Sequence, residues 1–533
     1  MAGFNPASSS MARGMANRDG VVVDEICSSP LYRTTFSAYD VVREIWSSLK
    51  LPQQALESLD LAGHGNGPAL PSSFKIGVLA QSSIALSALG AAMLYATRAR
   101  GSMGPEQEQS RVPRVRVGLE HAVVEFQSER LYSMENRPLE SSWGALGGLH
   151  RAADGYVRIH DVFPHHAAGT LELLGLPPGA TRGDVAAKTA LWKAVDLENA
   201  GTVDGKLAIY ALRSYEEWDA LPQAKATDDS PILLKRLSPG VPNPAPLPVP
   251  VPVTDSRRCL SGIRVLEMSR VIAAPVAGKT LAAHGADVLW VTSPNLPSLP
   301  VLDRNLGRGK RSIQLDIHEP QDKEKLVDLL RTCDVFIQSY RPGSLASYGF
   351  SPEELAKINP TIVCANLSAF GGPGAPWAGR RGFDSLVQTC SGMNASEAEH
   401  AGRGEPARAM PCQALDHASG YLLATGITAA LYHRSTTPSG GGAYTVDVSL
   451  AGTAKYLRSL GQYPGTSGFD ESSSSSRGRG YESMGDVPDV YFEELDTGFG
   501  RMKGVRHSAV VEGCVVGWDR GLGELGSGEP VWL

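Results

Sequence analysis

Between Ile263 and Leu367 short apolar runs rich in β-branched residues alternate with helical patterns, and this alternation constrains the fold more than any other feature of the chain. Ile263 to Met268 reads as a strand, about Pro275 to His284 as a small-residue helix, and Asp287 to Val291 as a second strand. A charged amphipathic helix follows from Pro320 to Arg331, then a strand from Val335 to Gln338, a short helix from Pro352 to Ile358 and a strand from Ile362 to Leu367. Strands separated by helices cannot pair as hairpins, so the order predicts an α/β fold with a Rossmann-like parallel sheet covered by helices.

A proline-rich run from Pro239 to Pro252 precedes this region. Alternating prolines lack ladder N–H donors and favour an extended conformation, so the run is expected to be a linker. The expected units are 1–35 without packed structure, 36–238, the linker 239–257, 258–460, and 461–533, which opens on a loop containing Ser472 to Ser476. Ile76 to Arg98 followed by Val115 to Phe126 has the order of Asp416 to Arg434 followed by Tyr444 to Leu457, which suggests a degenerate internal repeat.

A length of 533 residues with 42% hydrophobic residues can fill more than one core. The formal net charge of -6 offers no basic excess for a phosphate backbone, so no nucleic-acid partner is expected. Seven cysteines without a C-x-x-C pair or a Cys/His cluster predict reduced thiols and no metal. Gln81 and several serines interrupt the apolar stretch Ile76 to Ala96, which reads as a buried helix and not a membrane span. Arg13 and Arg18 are not followed by an apolar h-region, so no secretory signal is expected. The cytoplasm is the expected compartment, with a mitochondrial or peroxisomal address left open.

A collinear set of short motifs carries more information than any one of them. They are Leu260-Ser-Gly-Ile-Arg-Val-Leu-Glu-Met-Ser-Arg-Val-Ile-Ala-Ala-Pro275, Gly307-Arg-Gly-Lys-Arg-Ser312, Asp334-Val-Phe-Ile-Gln-Ser-Tyr-Arg-Pro-Gly343, Gly371-Gly-Pro373, Gly382-Phe-Asp384 and Leu415-Asp-His-Ala-Ser-Gly420. In this order they resemble the first half of the class III CoA-transferases, the CaiB/BaiF family. Gly147 to His160 and Leu173 to Leu176 resemble the start of that family's smaller α+β domain. With the halves in reversed order, the chain resembles a fused or degenerate two-copy form.

The resemblance implies transfer of coenzyme A between an acyl-CoA and a carboxylic acid, with no tightly bound cofactor, in a homodimer whose subunits can interlock. It places the nucleophile at Asp416 and CoA contacts at Ile272, Ala273, Leu315, Asp316, Ile317, His318, Ser339, Tyr340, Arg341 and Arg381, with Lys310 and Arg311 as phosphate partners. The family commonly has an acidic residue where Thr292 stands and a basic one where Ser347 stands, and the glycine-rich lid expected after the nucleophile is not evident.

A carboxylate can attack a thioester through an aspartyl-acyl anhydride and an enzyme-bound CoA thioester. An unperturbed aspartate, with a pKa of about 3.9, is ionised at neutral pH. Candidate oxyanion donors are the backbone of Gly371-Gly372 and of Gly440 to Gly442. By position alone Asp416 also reads as a helix N-cap. Ala274 to Thr280 ends like a phosphate-binding loop, but Ala273 stands where its first glycine belongs, so a tight helix packing on the sheet is expected. His165 and His166 lack a third ligand at metal spacing and read as a surface turn. The alternatives are an α-methylacyl-CoA racemase-like epimerase and a non-catalytic CoA-binding paralogue. Phe383 cannot shuttle a proton, so the first needs His417 as its base.

Overall fold

The computed structural model describes residues 32–63, 67–100, 111–137, 139–140, 143–238, 247–248, 257–437, 441–469 and 480–533. The segment before Tyr32, the Ser-rich stretch and all of the expected linker except Leu247, Pro248 and Arg257 lie outside the described residues.

The largest sheet has seven strands, β1 (Leu233–Arg236), β2 (Arg264–Met268), β3 (Asp287–Thr292), β4 (Arg311–Gln314), β5 (Val335–Gln338), β6 (Val363–Ser368) and β7 (Tyr444–Ser449). Their spatial order is β4-β3-β2-β5-β6-β7-β1. Every pairing is parallel except β7 with β1. The chain runs outward from β2 to β4 and then crosses back to β5, so the order reverses between β2 and β5. The strands are buried on both faces and accordingly read as nearly continuous apolar runs, such as Val335-Phe-Ile. Each strand and helix expected in this region is present with its ends within two residues, while helix Pro300–Leu306 and strand β4 were not expected.

The proline-rich run does not divide the fold as it divides the sequence. β1, which precedes it, is an edge strand of the sheet formed by the residues that follow it: Leu234 pairs with Val446 and Lys235 with Thr445. The reciprocal exchange also occurs. Leu59–Ala62 and Val115–Gly118 form a parallel pair, joined through helix Ile76–Arg100, and the third strand of that sheet is Ala509–Val511, antiparallel, from the C-terminal segment. The same arrangement appears in β6, helix Ala414–Thr436 and β7, with β1 as the antiparallel edge. The internal repeat therefore exists as two β-α-β units, each capped by a strand from across the proline-rich run.

The helices of the two units pack against each other. A Cβ on Gly90 would come within 2.2 Å of Thr428 Oγ1, so the close approach requires glycine. Helix Ile76–Arg100 is long and apolar enough to cross a membrane by length and composition. Here it is a core helix: Ile84, Leu86, Leu89 and Leu94 are buried against the Ala414–Thr436 helix and the sheets.

The smaller domain contains the antiparallel sheet Gly148–Arg151, Tyr156–Ile159, Ile209–Ala211 and a separate core around Val157, Leu197 and Ile209. Arg158 bonds from it to Thr389, and Tyr210 O–H donates to the carbonyl of Arg381. These bonds seat the small domain over the C-terminal ends of β5 and β6.

Candidate functional site

In an open parallel sheet, side chains and loops leave a crevice where the strand order reverses, outside the carboxyl ends of the strands. That crevice is present here. A cavity of about 260 Å³ is lined by Arg270 to Ala274 after β2, Ser339 to Arg341 after β5, Leu367 to Ala369 at the end of β6, and Leu450 after β7. Arg381 to Phe383, Asp416 and Leu296 complete its walls, and Phe163, His165 and His166 of the small domain close over it. Val271 has a φ of 68°, rare for a β-branched residue, and marks strain in the turn that leads from β2 into helix Ala273–Ala283.

Asp416 is the third residue of helix Ala414–Thr436, and the N-cap is Gln413, so the cap reading of Asp416 is replaced. The actual tether comes from Asp384. Its Oδ2 accepts the N–H groups of Leu415 (2.8 Å) and Asp416 (2.9 Å), and its Oδ1 accepts from the Gln388 amide. The Asp of the Gly-Phe-Asp motif thus supplies from a distance the acceptor that a helix N-terminus lacks.

Asp416 is 6% exposed, and among the described residues nothing donates a hydrogen bond to its carboxyl. Burial, followed by the charges of Asp384 and Glu129, raises its pKa well above the ordinary carboxylate value. Asp384 is itself pushed up to about 6, with burial the largest cause and its hydrogen bonds opposing. The expectation of an unperturbed Asp416 is therefore corrected: burial and the neighbouring carboxylates favour its protonated form. Burial opposes ionisation of Glu129 too, but His417 outweighs it and lowers that pKa. His417 Nε2 lies 2.9 Å from Glu129 Oε2, its ring stacks on Phe126, and it does not line the cavity, so the base required by an epimerase is absent from that position.

The expected CoA contacts separate into two groups. Ile272, Ala273, Ser339, Tyr340, Arg341 and Arg381 all line the cavity. Lys310 and Arg311 do not, and both are already paired. Lys310 is fully buried, 2.8 Å from Glu267, while Arg311 forms a two-pronged bond to Asp287 at 2.9 Å on each oxygen. Leu315 is buried in the sheet's own core, and Ile317 packs against that core. Asp316 and His318 bond to each other and to Asn295 and Tyr348 near the surface. Leu315 to His318 thus lie outside the cavity. Lys279 is buried and donates to Asn305 Oδ1, consistent with a packing helix and not a phosphate loop.

Two features were not read from the sequence. Arg270 forms no ion pair among the described residues; its guanidinium lies over Phe163 and donates to the carbonyl of Pro297. Its place immediately after the first strand was the available signal. The second is His166. The expected surface turn is instead the first turn of helix Pro164–Leu173, in which His165 is exposed while His166 is buried and lines the cavity. Of the expected oxyanion donors, Gly371 and Gly372 line a neighbouring pocket at the ends of β6 and β7, and Gly441 packs on Arg434 at the far end of its helix. Gly440 lies outside the described residues.

Residues 260–481 match the family described as CoA-transferase family III. A probable fatty acyl-CoA transferase, Rv3272, of Mycobacterium tuberculosis is 35% identical over 188 residues, covering 33% of this chain and 47% of that protein. A formyl-CoA:oxalate CoA-transferase of Rhodopseudomonas palustris is 36% identical over 195 residues, covering 34% of this chain and 45% of that one. A crystal structure of Rv3272 superposes with a TM-score of 0.33 at 33% identity, over 37% of this chain and 57% of the other. The chain spans about half the length of the curated relatives it matches.

Proposed function

We propose, for a chain whose residues 260–481 match CoA-transferase family III, that it transfers coenzyme A from an acyl-CoA to a carboxylic acid through Asp416. The observation that carries the reading is the juxtaposition, in one switch-point cavity, of a carboxyl without a hydrogen-bond donor and three arginines without ion pairs among the described residues, Arg270, Arg341 and Arg381.

The charges suit the substrate. CoA carries phosphates, which guanidinium groups bind strongly when no carboxylate competes. Helix Ala273–Ala283 begins at the cavity, and its N-cap Ile272 supplies no side-chain bond, so its first N–H groups and positive dipole end are available to an anion. Residues from both sides of the proline-rich run close this cavity within one chain, so the reading needs no residue from a second subunit.

The reaction needs no redox partner. The ionised Asp416 carboxylate attacks the thioester carbonyl, the C–S bond breaks, and CoA leaves as thiolate from an aspartyl-acyl anhydride. The thiolate then attacks the aspartyl carbonyl, releasing the first carboxylate and leaving an aspartyl-CoA thioester. The acceptor carboxylate attacks that thioester, and the thiolate returns to the acceptor's acyl carbon, regenerating Asp416. Burial makes the carboxylate a strong nucleophile once ionised and resists its ionisation, so the rate is expected to rise with pH.

The test is intact-mass and peptide analysis after mixing with acyl-CoAs and trapping with hydroxylamine or borohydride. An adduct at Asp416 that is absent from Asp416→Ala is the expected result. CoA binding without modification of Asp416 would overturn the covalent reading.

A further inference from the structure

His166 is 2% exposed, lines the cavity that Asp416 lines, and has both ring nitrogens buried without a partner. A buried polar group without a hydrogen bond is uncommon in a folded protein, so its persistence in the cavity that Asp416 also lines calls for a partner that arrives with the substrate. The ring is held in place. Its backbone N–H donates to the carbonyl of Phe163 at 2.9 Å, and the rings of Phe163 and Phe383 lie 5.6 and 6.1 Å away, both near-perpendicular.

The attack by Asp416 converts a thioester carbonyl into an oxyanion, which needs a preorganised donor. Of the glycines expected to provide one, Gly371, Gly372 and Gly441 lie elsewhere. We propose that His166 is a catalytic residue whose ring N–H donates a hydrogen bond to the acyl oxygen as its charge develops, with no proton transferred. In the step itself, the π pair of the carbonyl moves onto oxygen beside the His166 N–H, returns as the C–S bond breaks, and CoA leaves as thiolate.

The protonation state agrees with this role. Burial first, then the neighbouring His165, Arg381, His160 and Arg341, lower the His166 pKa to about 3, so the ring is neutral and keeps one N–H to donate. A ring that resists protonation so strongly is a poor proton shuttle near neutral pH, which favours donation over the acid/base chemistry of an epimerase.

The inference rests on the Asp416 reading, and the experiment separates the two. Acetyl-, succinyl- and octanoyl-CoA are mixed in single turnover with wild type, His166→Phe and His166→Gln, and CoA thiol release, Asp416 adduct formation, the Kd for free CoA and solvent deuterium at the acyl α-carbon are followed. Phe keeps the ring packing and removes the orphaned nitrogens, so it is expected to fold with an unchanged or higher Tm. It should slow acylation of Asp416 by about 10²- to 10³-fold while CoA affinity holds, and Gln, which restores an N–H donor, should recover about tenfold or more. Unaltered acylation in His166→Phe overturns the proposal, as does a loss of CoA affinity equal to the loss of rate. Deuterium incorporation that depends on His166 would assign the ring to proton transfer instead. Wild type that binds CoA yet never acylates Asp416 would remove the covalent reading together with this one.

Discussion

Asp384→Asn separates the charge of Asp384 from its tethering role. Oδ2 holds the N–H groups of Leu415 and Asp416 while burial pushes the carboxyl from 3.8 to about 6. A folded pKa above the unfolded one means that the contribution to stability is complete below about pH 4 and is lost as pH rises toward 6. At about 1.36 kcal/mol per pH unit, the loss reaches about 3 kcal/mol by neutral pH. Asparagine keeps one oxygen for the two backbone donors but turns an N–H toward the Gln388 amide from which Oδ1 now accepts, a loss that is the same at every pH. Relative to wild type the variant should therefore gain about 3 kcal/mol between pH 4 and pH 7.5. With an unfolding entropy of about 2.1 cal/mol/K per residue, that gap is about 3 °C in Tm for a chain of this length unfolding as a unit. Scanning calorimetry of both proteins from pH 4.5 to 8 reads it directly. A Tm difference that does not change with pH would refute the reasoning. Because the Asp384 charge is one of the causes that raise Asp416, the same variant should move the acid limb of acyl transfer to lower pH.

Asp416→Asn should abolish transfer and, by the same sign argument, gain stability over wild type as pH rises above about 4, since its folded pKa is also raised. Arg381→Ala should weaken CoA binding by about tenfold or more, less so at high salt, whereas Arg311→Ala should leave the Kd for CoA unchanged and lower Tm slightly by breaking its bond to Asp287. Gly90→Ala drives a Cβ into Thr428 and should cost about 1–3 kcal/mol; a double variant with Thr428→Ala should recover part of this in a double-mutant cycle.

Part of the cavity lining was legible because it follows directly from strand ends. Ile272-Ala273 and Ser339 to Arg341 immediately follow runs whose apolar pattern marks β2 and β5, and a parallel sheet places such residues at its carboxyl edge. Lys310 and Arg311 read from sequence as a basic turn, while in the fold each meets a carboxylate from another strand of the sheet, Glu267 on β2 and Asp287 on β3. His166 was opaque for a similar reason. Besides Phe163, its neighbours in sequence are polar or small, and Phe383, which also packs on it, lies more than two hundred positions away.

The sequence by itself determined the local geometry: the α/β alternation, the helix-forming runs, the collinear motifs, and Asp416 near the start of a long helix. These depend on periodicity and on neighbours a few residues apart. Tertiary structure decided which strands cross the proline-rich run to complete each β-α-β unit, which cations remain unpaired at the cavity, and which carboxyls stay protonated. Those outcomes depend on burial and on charges brought together from distant segments, and neither has a signature within a short window of sequence.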